Sequence, residues 1–166
     1  MIEQFSKEFT EKMEKEIKDK FMDAIGLQIK IKYIKDIEPL EIIGQGDMID
    51  LRCAEDTELK KGDYKIIPLG IAVQLPDGYY AEILPRSSTF GKYKILMANS
   101  MGVIDHTYMG DSDEWGYVAY AVEDTFIPKN TRIAQFRIVE CMPKVSLLTV
   151  EHLNNPSRGG FGSTGN

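Results

Sequence analysis

Residues Leu27–Ile34 read LQIKIKYI. Apolar and polar side chains alternate, which puts them on opposite faces of an extended chain and marks a β-strand. Immediately before this stretch the period is different. Ile2, Phe5, Phe9, Met13, Ile17, Phe21 and Ile25 lie in a segment dense in Lys and Glu and free of Pro. Their spacing predicts one amphipathic helix over 1–26, ended by Gly26. Steps of four residues exceed the ~3.6 residues of a helical turn, so the apolar stripe winds around the helix by about 40° per step. That winding argues against a straight coiled-coil seam. The helix is read as an arm packed on the domain or on a neighbouring subunit.

From Leu27 onward the chain reads as short strands. Further strands are expected at Asp50–Ala54, Gly62–Pro68, Gly70–Gln74, Gly78–Pro85, Lys94–Asn99, Gly102–Ile104, Gly116–Val122, Thr131–Val139 and Ser146–Glu151. Turn signals separate them, among them Lys61-Gly62, Pro76-Asp77-Gly78, Met109-Gly110 and Pro128-Lys129-Asn130. Many strands at close spacing predict an all-β sandwich or barrel over 27–153. The stretch SSTFGKYK, from Ser87, reads as a short helix or a turn. Residues 154–166 are polar, Gly-rich and terminal, and are expected to form a flexible arm.

The totals exclude several classes of function. A chain of 166 residues suits one domain with an added arm. A net charge of -6 argues against a general nucleic-acid or membrane-surface binder. It also means that a polyanionic substrate needs local positive charge or a metal ion. No apolar run is long enough for a membrane span, and the charged N-terminus is not a signal peptide. Cys53 and Cys141 form no CxxC and are expected to be reduced thiols in a cytoplasmic protein. His106 and His152 lack metal-ligand spacing, so no structural zinc site is expected. A P-loop ATPase is excluded because there is no GK[ST] between a strand and a helix.

The C-terminal SRGGFGSTGN, residues Ser157–Asn166, combines glycine-freed amides with hydroxyls, a composition suited to phosphate. Four more stretches stand out with it: GDMIDLRCAED (46–56), PRSST (85–89), NSMGVIDHTYMG (99–110) and RIAQF (132–136). Together and in this order they resemble the five motifs of the trimeric dUTPase family, phage and bacterial branch. The resemblance covers about residues 27–166. It implies a jelly-roll-like fold of the β-clip type, a homotrimer, and Mg²⁺-dependent hydrolysis of dUTP to dUMP and pyrophosphate. That activity keeps uracil out of DNA and supplies dUMP for dTMP synthesis.

Residue by residue, the resemblance implies the following roles. Asp105 in GVID is the base that activates water at the α-phosphorus. Tyr108 stacks under the deoxyribose and leaves no room for a 2'-hydroxyl. Asn99 lies near the uracil, and backbone groups of Val103 and Ile104 read the uracil edge. Arg86, Ser87 and Ser88 meet the phosphates, where a guanidinium offers a fixed fork of donors. Gln135 lies near phosphates and water. Asp50 meets Mg²⁺ through water, while substrate phosphates hold the ion directly. From another subunit, Arg158, Ser163 and Thr164 grip the γ-phosphate, Phe161 stacks on uracil, and the glycines, Gly162 included, admit the backbone. Such a terminus can open to release product and close to exclude water.

The chain departs from the family pattern in places. Met48 stands where glycine is usual, Met109 follows Tyr108 where Arg is common, and Arg158 directly precedes Gly159 in a shortened last motif. The loop after Gly110 is long and acidic; Asp111, Asp113 and Glu114 are read as a solvated turn, with recruitment of a metal as the alternative. A related dCTP deaminase would carry Arg at the position of Gly91 and Glu within GYVAYAV, and neither is present. A non-catalytic regulator on the same fold is the other alternative, against which stand Asp105 and the tail. A regulatory protein partner beside the enzymatic role is left open.

Overall fold

The computed structural model describes residues 12–14, 16–17, 26–157 and 159–160. Eleven strands and one short helix follow in chain order: β1 (Lys30–Tyr33), β2 (Ile49–Arg52), β3 (Thr57–Leu59), β4 (Tyr64–Pro68), β5 (Ile71–Gln74), β6 (Tyr79–Pro85), α1 (Thr89–Tyr93), β7 (Ile95–Met97), β8 (Gly102–Ile104), β9 (Gly116–Ala121), β10 (Thr125–Ile127) and β11 (Arg132–Glu140). The expected all-β architecture is therefore present. Of the predicted N-terminal helix, residues 12–14 and 16–17 are helical, and Met13 and Ile17 are exposed.

The strands form a four-stranded sheet β2-β11-β6-β8, a three-stranded sheet β4-β9-β7, and the pairs β1-β5 and β10-β3. All these pairings are antiparallel. Alternation along each strand sends one set of side chains into a common interior. Leu51, Ile83 and Phe136 come from the first sheet, Ile67, Tyr117 and Ile95 from the second, and Ile71 and Val73 from β5. Trp115 fills the centre and meets Phe136 edge-on, with ring centroids 5.1 Å apart and planes at 90°.

Three sequence readings need correction. β3 and β10, absent from the prediction, pair with each other through Leu59–Thr125 and Thr57–Ile127. At three residues each they are too short to show a period. The expected strand at Ser146–Glu151 is not formed: residues 141–150 take no regular structure. Its apolar side chains find no strand partner among the described residues, and Leu147 is 97% and Leu148 85% exposed. Finally, Lys94 caps α1 with a left-handed φ of 52° and does not open β7.

Between β4 and β5 the chain turns at Gly70, whose φ is +74°. A Cβ there would lie 3.0 Å from the Ala54 Cβ and 3.2 Å from Ile37 Cγ2. Both the dihedral and the space exclude a side chain. Gly70→Ala is expected to lower the unfolding free energy by about 3 kcal/mol, from left-handed strain plus overpacking. Denaturant unfolding checks this, and an unchanged midpoint would contradict it.

Candidate active site

Sequence reasoning placed Asp50 on β2, Arg86 just after β6, and Gln135 on β11. The strand register brings them together. Asp50 pairs with Gln135, and Gln135 pairs in turn with Leu84, two residues before Arg86. Arg86 Nε donates to Asp50 Oδ1 at 2.6 Å, and Arg132 Nη1 donates to Asp50 Oδ2 at 3.1 Å. One carboxylate thus aligns two guanidiniums. The three residues line a cleft of about 570 Å³ with Gln135, Met48 and Asp47. Met48 therefore takes part in the wall where the family pattern has glycine.

Arg132 lies in RIAQF, and the sequence does not mark it as a neighbour of Gln135 for a geometric reason. In a regular strand, residues 132 and 135 point to opposite faces. The register between β11 and β2 shifts between Arg132 and Ala134. This bulge inserts one residue and returns Arg132 to the face that carries Gln135. α1 is stapled beneath it, because Thr89 Oγ1 donates to the Ile133 carbonyl at 2.7 Å. Ser88 stands at the helix start with no side-chain capping bond, and Ser87 is exposed, so both hydroxyls remain available beside Arg86.

The second group lies elsewhere. β8 pairs with β6 through Ile104–Ala81 and Val103–Glu82, and it is an edge of the four-stranded sheet. Its outer row of backbone N–H and C=O groups is unpaired within that sheet. Val103, Asp105 and Tyr108 are exposed, as is Asn99 in the preceding turn. Asp105 closes its own turn: its Oδ1 accepts from the Thr107 amide at 2.7 Å and from the Thr107 hydroxyl. Those bonds, the hydroxyl first and the amide second, hold the Asp105 carboxyl below the usual carboxylate range. It stays ionised at neutral pH. Met109, in place of the family's usual Arg, turns inward, and its sulfur accepts the Leu75 amide at 3.2 Å.

Alternation places Asp50, Gln135, Arg137, Glu82 and Val103 on one outward face of the sheet, and Asp105 follows directly on the end of β8 at its edge. The two functional groups occupy diagonal corners of that face. Three inter-strand steps across and about four residues along put Asp50 and Asp105 on the order of 20 Å apart within one chain. Between them, Arg137 Nε donates to Glu82 Oε2 at 2.7 Å and Tyr80 Oη donates to Glu82 Oε1 at 2.9 Å. These two contacts, Arg137 first, hold the Glu82 carboxyl below its usual range.

No group of three or more His, Cys, Asp or Glu side chains able to cage a metal occurs among the described residues. Arg158, Phe161, Gly162, Ser163 and Thr164, the expected residues of the terminal arm, lie outside the described residues. Both cysteines are free, Cys53 buried and Cys141 exposed. Burial pushes the Cys53 thiol up. No described helix is long and apolar enough to cross a membrane.

Comparison with known proteins identifies the family. The dUTPase family model matches residues 47–165. The SPbeta prophage-derived deoxyuridine 5'-triphosphate nucleotidohydrolase of Bacillus subtilis (strain 168) is 51% identical over 140 residues, covering 84% of this chain and 99% of the relative. That of Hydrogenobaculum sp. (strain Y04AAS1) is 38% identical over 120 residues, covering 70% and 82%. A mutant Staphylococcus bacteriophage 80alpha dUTPase, solved with dUpNHpp, superposes with a TM-score of 0.69 at 23% identity, over 84% of this chain and 99% of that one. A mutant phage phi11 dUTPase of S. aureus, described with a structural Mg(II) ion, gives 0.67 at 18% identity, over 77% and 99%. The structural likenesses show the fold; the family match and the Bacillus relative show that this chain belongs to the dUTPase family.

Proposed function

We propose that the protein hydrolyses dUTP to dUMP and pyrophosphate in a cytoplasmic homotrimer whose sites are shared between copies. One observation carries this reading. The guanidinium cleft and the ionised Asp105 lie on one sheet face but on the order of 20 Å apart, too far for one nucleotide's reacting atoms. A second copy supplies the missing half. One copy contributes Asp50, Arg86, Ser87, Ser88 and Gln135, with Arg132 beside them. Another contributes Asn99, Asp105 and Tyr108, and a third contributes Arg158, Phe161, Gly162, Ser163 and Thr164. Surfaces that need cover support such an assembly. The apolar run Met142–Leu153 is largely exposed, and a groove of about 1110 Å³ lies between β1 and β11, with Ile29, Ile31, Leu40 and Ile138 in its walls.

The chemistry follows from the groups. Asp105, held ionised by Thr107, orients a water at the α-phosphorus and takes the proton. Arg86 and Arg132, held in place by Asp50, turn their remaining N–H donors to phosphate oxygens and spread the leaving group's charge. The exposed edge of β8 offers backbone groups to the uracil, and the Tyr108 ring closes the sugar side. The donor set fits Mg²⁺ that arrives with the triphosphate rather than an ion caged by protein. Asp50 is the one carboxylate proposed to meet the ion, both its oxygens engage guanidiniums, and a water-mediated contact is what it can still offer. Bound in that way, the ion supplies charge neutralisation at the phosphates.

Purified protein with Mg²⁺ is expected to release pyrophosphate from dUTP and not from UTP, dTTP or dCTP. Release from none of the four by folded trimer would overturn the proposal. Asp105→Asn should lower kcat by at least ~100-fold, the scale of a lost general base, while dUTP still binds. Arg86→Ala should likewise be nearly inactive. Dissociated and reassembled together, the two inactive variants should regain part of the wild-type rate, because some mixed sites receive both intact halves. Persistent inactivity of verified mixed trimers would place the halves on one chain. Thr107→Val removes the strongest contact that keeps Asp105 ionised, so the acidic limb of kcat/KM should move to higher pH. An unmoved limb would separate Thr107 from the base.

A further inference from the structure

Glu114 sits in the long acidic loop whose composition reads as a solvated turn. Its exposure says otherwise, since only 25% of the side chain is accessible. The residue is fastened to the bend between β4 and β5. The Gly70 amide donates to Glu114 Oε1 at 2.9 Å. On either side of that bond, Leu69 N–H donates to the Trp115 carbonyl at 2.9 Å, and Trp115 N–H donates to the Ile71 carbonyl at 2.8 Å. Lys35 Nζ lies 4.0 Å from the same Oε1. Trp115, next in sequence, is fully buried. The backbone at 114 is thus tied to the core at a point where Gly70 can carry no side chain.

The free end of this anchor is the Glu114 carbonyl. It accepts the Tyr108 hydroxyl at 3.2 Å. The loop between them is braced too: Gly110 N–H donates to Asp113 Oδ2 at 2.6 Å, and Asp113 N–H donates to the Gly110 carbonyl at 3.1 Å. The Tyr108 ring is therefore held at both ends, by its own backbone and by its hydroxyl. An exposed tyrosine without that second hold could tilt and enlarge the space beside it.

We infer that Glu114 is a positioning residue for sugar discrimination, clamping the Tyr108 ring through its own carbonyl while its carboxylate grips the Gly70 amide. The inference rests on the reading of Tyr108 as the side chain that leaves no room for a 2'-hydroxyl. A ring that is free to tilt would admit the ribose. The expected signature is a gain for UTP relative to dUTP, which general damage to the fold would not produce.

The test compares kcat/KM for dUTP and UTP in the full-length protein and five variants. Tyr108→Ala should collapse the dUTP:UTP ratio. Tyr108→Phe keeps the ring and deletes the hydroxyl bond; it should lower the ratio by about fivefold, the worth of one hydrogen bond. Glu114→Ala should lower it to a similar degree, and Glu114→Gln, which keeps an oxygen for Gly70, should stay near wild type. The double variant Tyr108→Phe/Glu114→Ala should be no worse than the poorer single, since both break one linkage. A wild-type ratio in both Tyr108→Phe and Glu114→Ala, with collapse in Tyr108→Ala, would overturn the clamp alone. A wild-type ratio in Tyr108→Ala would overturn the reading of Tyr108 and the clamp with it. If Glu114→Ala fails to fold, Tyr108→Phe decides by itself.

Discussion

Strand β11 hydrogen-bonds to β2 along one edge and to β6 along the other, and nearly everything at the phosphate cleft depends on that double ladder. The register with β2 sets Asp50 beside Gln135, and the register with β6 sets Leu84 on the same line, so that Arg86 emerges next to the cleft. The inward residues of the same strand, Ala134 and Phe136, are fully buried and lock the register, because a slip by one residue would turn Phe136 to solvent. Core packing and site geometry are two consequences of one pairing. The bulge at Ile133 is the single irregularity, and it brings a second guanidinium to Asp50.

A protein of net charge -6 has to gather positive charge locally if it is to hold a triphosphate. Asp50 with Arg86 and Arg132 carries one net positive charge, which Asp47 in the same cleft wall offsets, so the gain lies in two guanidinium forks held at the cleft rather than in its net charge. The carboxylate fixes both forks before substrate arrives, which lessens the ordering needed on binding. Glu82, Arg137 and Tyr80 show the same economy in the middle of the face. Each oxygen of Glu82 has a donor already, so the carboxylate is satisfied before another surface covers it.

Legibility in the sequence followed the range of the interactions. LQIKIKYI, GYVAYAV and RIAQFRIV show their strands because alternation is local. GVIDHTY shows a hairpin edge with Asp105, and the five motifs together show the family. β3 and β10 stayed hidden because TEL and TFI are too short to carry a period, and each exists through the other. Ser146–Glu151 misled for the opposite reason, since a strand-like pattern stays irregular without a strand to pair with. The contacts of Arg132, Thr107 and Glu114, on which the proposed roles rest, were not legible in the sequence. Arg132 depends on a bulge, Thr107 on the side-chain closure of a turn, and Glu114 on a contact with Gly70 across 44 residues. Composition announces none of these.

The separation of the two half-sites also explains why the protein can keep Asp105 ionised and exposed without risk to the rest of the fold. A base within the guanidinium cleft would pair with Arg86 or Arg132, as Asp50 does, and its oxygens would be occupied. Placed on the order of 20 Å away, it is held mainly by Thr107, within its own turn and clear of the guanidiniums. On the proposed reading, the cationic half and the basic half meet only across a subunit border, with the nucleotide between them. The phosphates then separate the guanidiniums from the carboxylate that must not pair with them.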